Sequence, residues 1–246
     1  MMDSDAQPTL LIFTLGPDCE GARRQLMPAP LRQAESLLHQ HGLCAALDAG
    51  RRAGLRLVVA SPETLDLPED VEQLHQAGCS FAERLRRAVR ALQADSRDAP
   101  LLVVGTDTPD LDVHHLLAAV SWLDGHAEGV ALGPSHDGGF YLLAARRSLD
   151  LELSGVRWCR NDTRRSLMTA IRHHGRPVLL LAPLRDLDRF SDVEAWLSRH
   201  LRHASAWLAR LLRSLLANWR RPLVHGIIPR LAPTFAASSP GRSPPS

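Results

Sequence analysis

Runs of Leu, Ile and Val, a few residues long, alternate along this chain with longer segments whose apolar residues recur at helical spacing. That alternation constrains the fold more than any other feature. Residues 9–15 (TLLIFTL), 55–60 (LRLVVA), 101–105 (LLVVG), 129–132, 140–145 and 178–182 read as buried strands. Residues 31–53, 81–94, 113–123 and 166–174 read as helices, and 192–197 opens another. Strands that are apolar throughout are covered on both faces, so the expectation is a three-layer, Rossmann-like α/β sandwich with a mostly parallel sheet. Ligands of such sheets sit at the carboxyl ends of the strands. The loops after Leu15, after Gly105, around residues 134–140 and after Ala182 are therefore where chemistry is expected.

Charge divides the 246 residues unequally. Residues 1–194 hold 21 arginines and 27 acids, a balance of −6, while residues 195–246 hold eight arginines and no acid, +8. There is no lysine, which excludes a lysine Schiff base, a P-loop lysine and a lysine general base. The division predicts a body over residues 1–197, a basic amphipathic helix over 198–222 and a Pro/Ser-rich tail over 223–246. Cys19, Cys44, Cys79 and Cys159 form no zinc-like spacing and read as reduced thiols. The start, MMDSDAQP, lacks the order of a secretory signal, and apolar runs such as 178–184 are far shorter than the roughly 20 residues of a membrane span. The reading is a cytoplasmic protein. Its basic helix, residues 198–221, either packs its leucines on the body or lies against an anionic membrane surface or a protein partner. With 4% aromatic residues and an acidic body, nucleic acid is not an expected partner.

Four segments carry chemistry. In Gly105-Thr106-Asp107-Thr108-Pro109-Asp110, an acid follows a buried strand directly; it can hold Mg²⁺ or Mn²⁺, or Asp107 or Asp110 can cap the helix near Val113. His136-Asp137-Gly138-Gly139-Phe140-Tyr141 either brings backbone close to a ligand or makes an Asp-Gly turn between strands. In Arg185-Asp186-Leu187-Asp188-Arg189-Phe190-Ser191-Asp192, the acids can supply a second metal ligand, while Ser191 or Asp192 also reads as a helix cap. The first loop, residues 16–24, has the glycines Gly16 and Gly21 and adjacent arginines suited to phosphate.

Taken in order, these segments resemble the DUF2064 family of bacterial transferases, also described as arsenosugar-biosynthesis-type or radical-SAM/selenodomain-associated transferases. The family's Gly-Ser/Thr-Asp-Cys-Pro is similar to Gly105 through Pro109, and its Gly-Pro-x-x-Asp-Gly-Gly-Tyr-Tyr-Leu to Gly133 through Leu142. Its Trp-centred stretch looks like Val156-Arg157-Trp158, its closing acidic element like Asp186 through Asp192, and its Leu-Gly-Glu-Arg like Phe81 through Arg84. The resemblance spans about residues 9–197 and implies the GT-A fold of nucleotide-diphospho-sugar transferases. In the first loop Arg23 stands where the family has lysine, and Gln25 where arginine is usual.

The implied activity is metal-dependent transfer from a nucleotide-activated sugar donor to an unidentified acceptor. Asp107 and Asp188 would hold Mg²⁺ or Mn²⁺, and Asp107 and Asp137 would be catalytic, Asp137 as a base. Gly16, Pro17, Gly21, Arg23 and Arg24 would bind the nucleotide. Gly138, Gly139, Phe140, Tyr141 and Trp158 would shape the substrate side. Nucleotidyl transfer on the same fold, or a degenerate member that binds without catalysis, are the alternatives.

Overall fold

The computed structural model describes residues 7–16, 33–95, 99–146 and 150–200. The elements, in chain order, are β1 (Thr9–Phe13), α1 (Gln33–Arg52), β2 (Arg56–Ser61), β3 (Val71–His75), α2 (Phe81–Asp95), β4 (Leu101–Val104) and α3 (Val113–Asp124). They continue with β5 (Val130–Pro134), β6 (Phe140–Ala145), α4 (Asp150–Ser154), α5 (Thr163–His173), β7 (Val178–Leu180) and α6 (Phe190–His200).

The seven strands form one sheet in the order β3-β2-β1-β4-β6-β5-β7. β1 pairs in parallel with β2 and β4, placing Leu11 opposite both Val58 and Val103. β6 runs antiparallel between β4 and β5, and β7 pairs in parallel with β5. The expected fold class is the one found, a three-layer α/β sandwich with a mostly parallel sheet.

Alternate side chains of each central strand face opposite layers. Leu10, Ile12, Leu57, Val59, Leu102 and Val104 pack with Ala46 and Leu47 of α1 and Leu116 and Leu123 of α3. Leu11, Phe13, Val58 and Val103 pack on the other face with Leu85 and Val89 of α2, Leu153 of α4 and Leu167 and Ile171 of α5. A smaller cluster of Leu38, Leu187, Val193, Trp196 and Leu197 seats α6 beside α1.

One ion pair sits inside this packing. Arg176 Nη1 lies 3.1 Å from Glu152 Oε1, with side chains only 7% and 5% exposed. Arg176 also donates to Glu128 O at 2.8 Å, so it fastens the start of β7 to α4 and to the turn before β5.

Two capping expectations are corrected. Helix α3 is capped by Asp112, whose carboxylate accepts from the amides of His114 and His115, and not by Asp107 or Asp110. Asp110 instead accepts from Trp196 Nε1 at 2.8 Å, which anchors α6. α6 starts at Phe190, so Ser191 and Asp192 lie within its first turn; Asp192 Oδ2 reaches back to the Arg189 amide at 2.9 Å. Cys44, Cys79 and Cys159 are free and exposed. No helix among the described residues is long and apolar enough to cross a membrane. Residues 198–200, the expected start of the basic helix, are the end of α6; the rest of that helix and the Pro/Ser-rich tail lie outside the described residues, and so does Cys19.

Candidate functional site

The carboxyl ends of β1, β4, β5 and β7 and the start of antiparallel β6 meet at one edge of the sheet. A cleft of about 360 Å³ opens there, lined on one side by Gly105, Thr106, Asp107, Asp137, Asp186 and Asp188. Its other side is aromatic. Phe81 packs edge-on against Phe13 at 5.4 Å and tilted against Trp158 at 5.2 Å, and Trp158 meets Phe140 at 6.1 Å. The Trp158 indole N–H donates to Leu153 O at 3.3 Å, leaving the half-buried ring as part of the wall.

Backbone hydrogen bonds assemble the acidic side from three distant segments. Leu184 donates to Pro134 O at 3.1 Å and His136 donates to Leu184 O at 3.2 Å, extending the pairing of β5 beyond the end of β7. Leu187 donates to Asp107 O at 2.8 Å, drawing the loop after β4 to the same place. As a result one carboxylate oxygen from each of Asp137, Asp186 and Asp188 lies within 4.8 Å of the others. The Asp137 carboxylate is oriented by the Ser135 hydroxyl at 2.6 Å and the Gly139 amide at 2.8 Å, both donating to Oδ1. Asp186 accepts from the Thr108 hydroxyl at 2.7 Å.

Burial pushes Asp186 up to about 8, and the neighbouring charges of Asp107 and Asp137 push the same way. A carboxylate in these surroundings resists ionisation unless a cation joins it. The donor set is all carboxylate oxygen, which suits a hard divalent ion such as Mg²⁺ or Mn²⁺ and not a soft one. The residues present therefore fit the group that the sequence led us to expect.

The expected site residues are distributed as follows. Asp188 and Asp137 join the acidic trio. Asp107 lies beside it in the cleft, its carboxylate curled back toward Gly105, outside the set of mutually close oxygens but near enough to raise Asp186. Gly139, Phe140, Tyr141 and Trp158 line the cleft. Gly138 has φ +94°, and a Cβ there would stand 1.9 Å from Asn161 O, so only glycine lets the two loops touch. The segment makes the Asp-Gly turn between antiparallel β5 and β6, with Gly139 and Phe140 at the cleft.

Tyr141 is 2% exposed; its hydroxyl donates to Ala182 O at 3.0 Å and its ring packs edge-on to His115, supporting the cleft from beneath. Gly16 is described, with φ +88° and Glu63 against it, whereas Pro17, Gly21, Arg23 and Arg24 lie outside the described residues. Thr108 and Ser135 lie inside the quoted segments without a role read for them, and Asn161 lies outside them; the contacts of Thr108 with Asp186 and of Gly138 with Asn161 join residues that only the fold brings together.

Residues 46–160 match the family model DUF2064, described as an uncharacterized protein conserved in bacteria. The crystal structure of a candidate nucleotide-diphospho-sugar transferase from Desulfovibrio desulfuricans G20 matches with a TM-score of 0.73 at 22% identity, covering 86% of this chain and 97% of that one. A nucleotidyl transferase from Methanothermobacter thermautotroptrophicus matches with a TM-score of 0.53 at 18% identity, covering 80% of this chain and 99% of that one. No curated protein matches the chain. At these identities the solved structures establish a shared fold.

Proposed function

From the premise that residues 46–160 carry a DUF2064 segment, we propose that this protein is a divalent-metal-dependent transferase acting on a nucleotide-activated donor, and that the donor is a nucleotide sugar. One observation carries the reading. Three carboxylates from two separate segments converge at the carboxyl ends of the strands, facing an aromatic wall across a cleft of about 360 Å³.

Asp137, Asp186 and Asp188 would hold Mg²⁺ or Mn²⁺, which when bound neutralises charge on a diphosphate leaving group. Asp107 adds negative charge beside the trio and sharpens its preference for a cation. The ring faces of Phe81 and Trp158 offer apolar area to the flat or apolar side of the donor, and the wall keeps water from that side of the cleft. The Ser135 hydroxyl and Gly139 amide hold Asp137 in one orientation. In that position Asp137 serves the ion or takes a proton from an acceptor hydroxyl. Gly16, Pro17, Gly21, Arg23 and Arg24, at the start of the first loop, are assigned to the nucleotide phosphates.

The second reading, nucleotidyl transfer, has the Methanothermobacter fold relative in its favour. The two differ in their products. Incubation of the full chain with nucleotide sugars, Mn²⁺ and candidate acceptors releases nucleoside diphosphate if sugar is transferred. Incubation with nucleoside triphosphates and sugar phosphates releases pyrophosphate if a nucleotidyl group is transferred. Pyrophosphate release without nucleoside diphosphate release would replace the first reading with the second.

A further inference from the structure

Beside the cleft, at Asn161, lies a second cavity of about 470 Å³, lined by Gly138, Arg160, Asn161, Asp162, Arg164 and Arg165. Arg160 and Asn161 line both cavities, so the two adjoin. The walls are firmly built. The Thr163 hydroxyl accepts from the Arg160 amide at 3.1 Å and lies 2.7 Å from Arg160 O, closing the turn that presents the Arg160 side chain. The Arg164 amide donates to Gly138 O at 3.0 Å and its Nη1 to Ser135 O at 3.3 Å, tying this wall to the loop that carries Asp137.

The charge of this cavity is out of balance. Asp162 is its one acid, and it is engaged by Arg157 at 2.7 Å and by Arg160 at 3.5 Å. Arg164 and Arg165 make no ion pair with the described residues. Both lie in the first turn of α5, where the helix dipole already places positive charge and acids are the favoured residues; this turn has none. The helix amides are not what is left over, since that of Arg164 is bonded to Gly138. What remains is three arginines lining one cavity against a single acid, and the guanidinium fork matches the oxygens of phosphate and carboxylate.

We propose that this pocket binds an oxyanion, phosphate or carboxylate, borne by the acceptor substrate; the word acceptor rests on the transferase reading above. The trio Asp137, Asp186 and Asp188 accounts for a cation and hence for the donor diphosphate on one side of Asn161. The arginines on the other side accept a second, separate negative charge, which places the acceptor next to Asp137.

The test uses the full chain and inorganic phosphate in the presence of EDTA, followed by thermal melting. Phosphate at millimolar concentration raises the midpoint of the wild type. The Arg160→Gln/Arg165→Gln variant loses at least tenfold in phosphate affinity, while Arg172→Gln, in the last turn of the same helix, retains it. No stabilisation of the wild type, or an equal loss in Arg172→Gln, would overturn the pocket. A second arm repeats the titration with Mg²⁺ and saturating nucleoside diphosphates. Phosphate binding that persists supports the acceptor side, and displacement by nucleotide would overturn that assignment. The first arm needs neither metal nor nucleotide, so its failure would leave the transferase reading standing, and failure of nucleotide to bind would leave the pocket standing.

Discussion

The Thr108 hydroxyl donates to Asp186 Oδ1 at 2.7 Å, joining the loop after β4 to the segment after β7 across 78 positions of sequence. This bond holds the most buried member of the acidic trio in place while Asp107 and Asp137 press on its charge.

A pH dependence follows from that position. Asp186 titrates near 8 in the folded chain against 3.8 as its ordinary value. Between those values the folded state binds more protons than the unfolded one, so unfolding free energy falls as pH rises from about 4 to about 8 and then levels. In EDTA, urea midpoints across this range decline for the wild type, and Asp186→Asn removes that component of the slope. Parallel slopes for the two proteins would contradict the assignment.

Gly138→Ala forces a Cβ to within 1.9 Å of Asn161 O at a left-handed backbone position. A local cost of roughly 1–3 kcal/mol is expected, with Asp137 displaced from the trio. Melting and Mn²⁺ titration together check this. Gly155→Ala, at a site where an added Cβ meets nothing within 4 Å, leaves both unchanged.

Glu152→Gln removes the carboxylate paired with the buried Arg176 between α4 and β7. A loss of about 3–5 kcal/mol is expected in urea unfolding. A change below about 1 kcal/mol would show that the pair contributes little.

Trp158→Ala removes the ring that spans Phe81 and Phe140 in the aromatic wall. Loss of that apolar contact weakens binding of the nucleotide-activated donor about tenfold, or about 1.4 kcal/mol, seen in KM more than in kcat. An unchanged KM would remove Trp158 from the donor side.

The central strands are legible because β1, β4 and β5 are buried from end to end and β2 and β6 at all but their first residue, giving runs such as TLLIF and LLVV; β7, read from its apolar run as buried, is only half-buried to exposed. β3 was missed for the opposite reason. It is an edge strand in which only Val71 is buried, so its sequence VEQLH carries neither a run nor an alternation. The short α4 was missed because five residues hold too little periodicity to read. At the site, the acids themselves stood out, yet their grouping did not. The sequence pairs Asp107 with Asp188, whereas which oxygens meet is decided by the bridging of Ser135 by Leu184 and of Asp107 by Leu187, contacts between residues far apart in sequence. Tyr141 reads as a substrate residue beside two glycines; it lines the cleft while its ring is buried with the core, which the pleat of β6 decides and the local sequence does not show.

The most direct measurement is Mn²⁺ titration of the full chain by calorimetry, comparing the wild type with Asp188→Asn. A trio that holds a divalent cation gives saturable Mn²⁺ binding in the wild type, weakened at least tenfold in Asp188→Asn under conditions where both proteins are folded. Equal affinity in the two proteins, or no saturable binding in the wild type, would contradict the metal site and the transferase reading built on it.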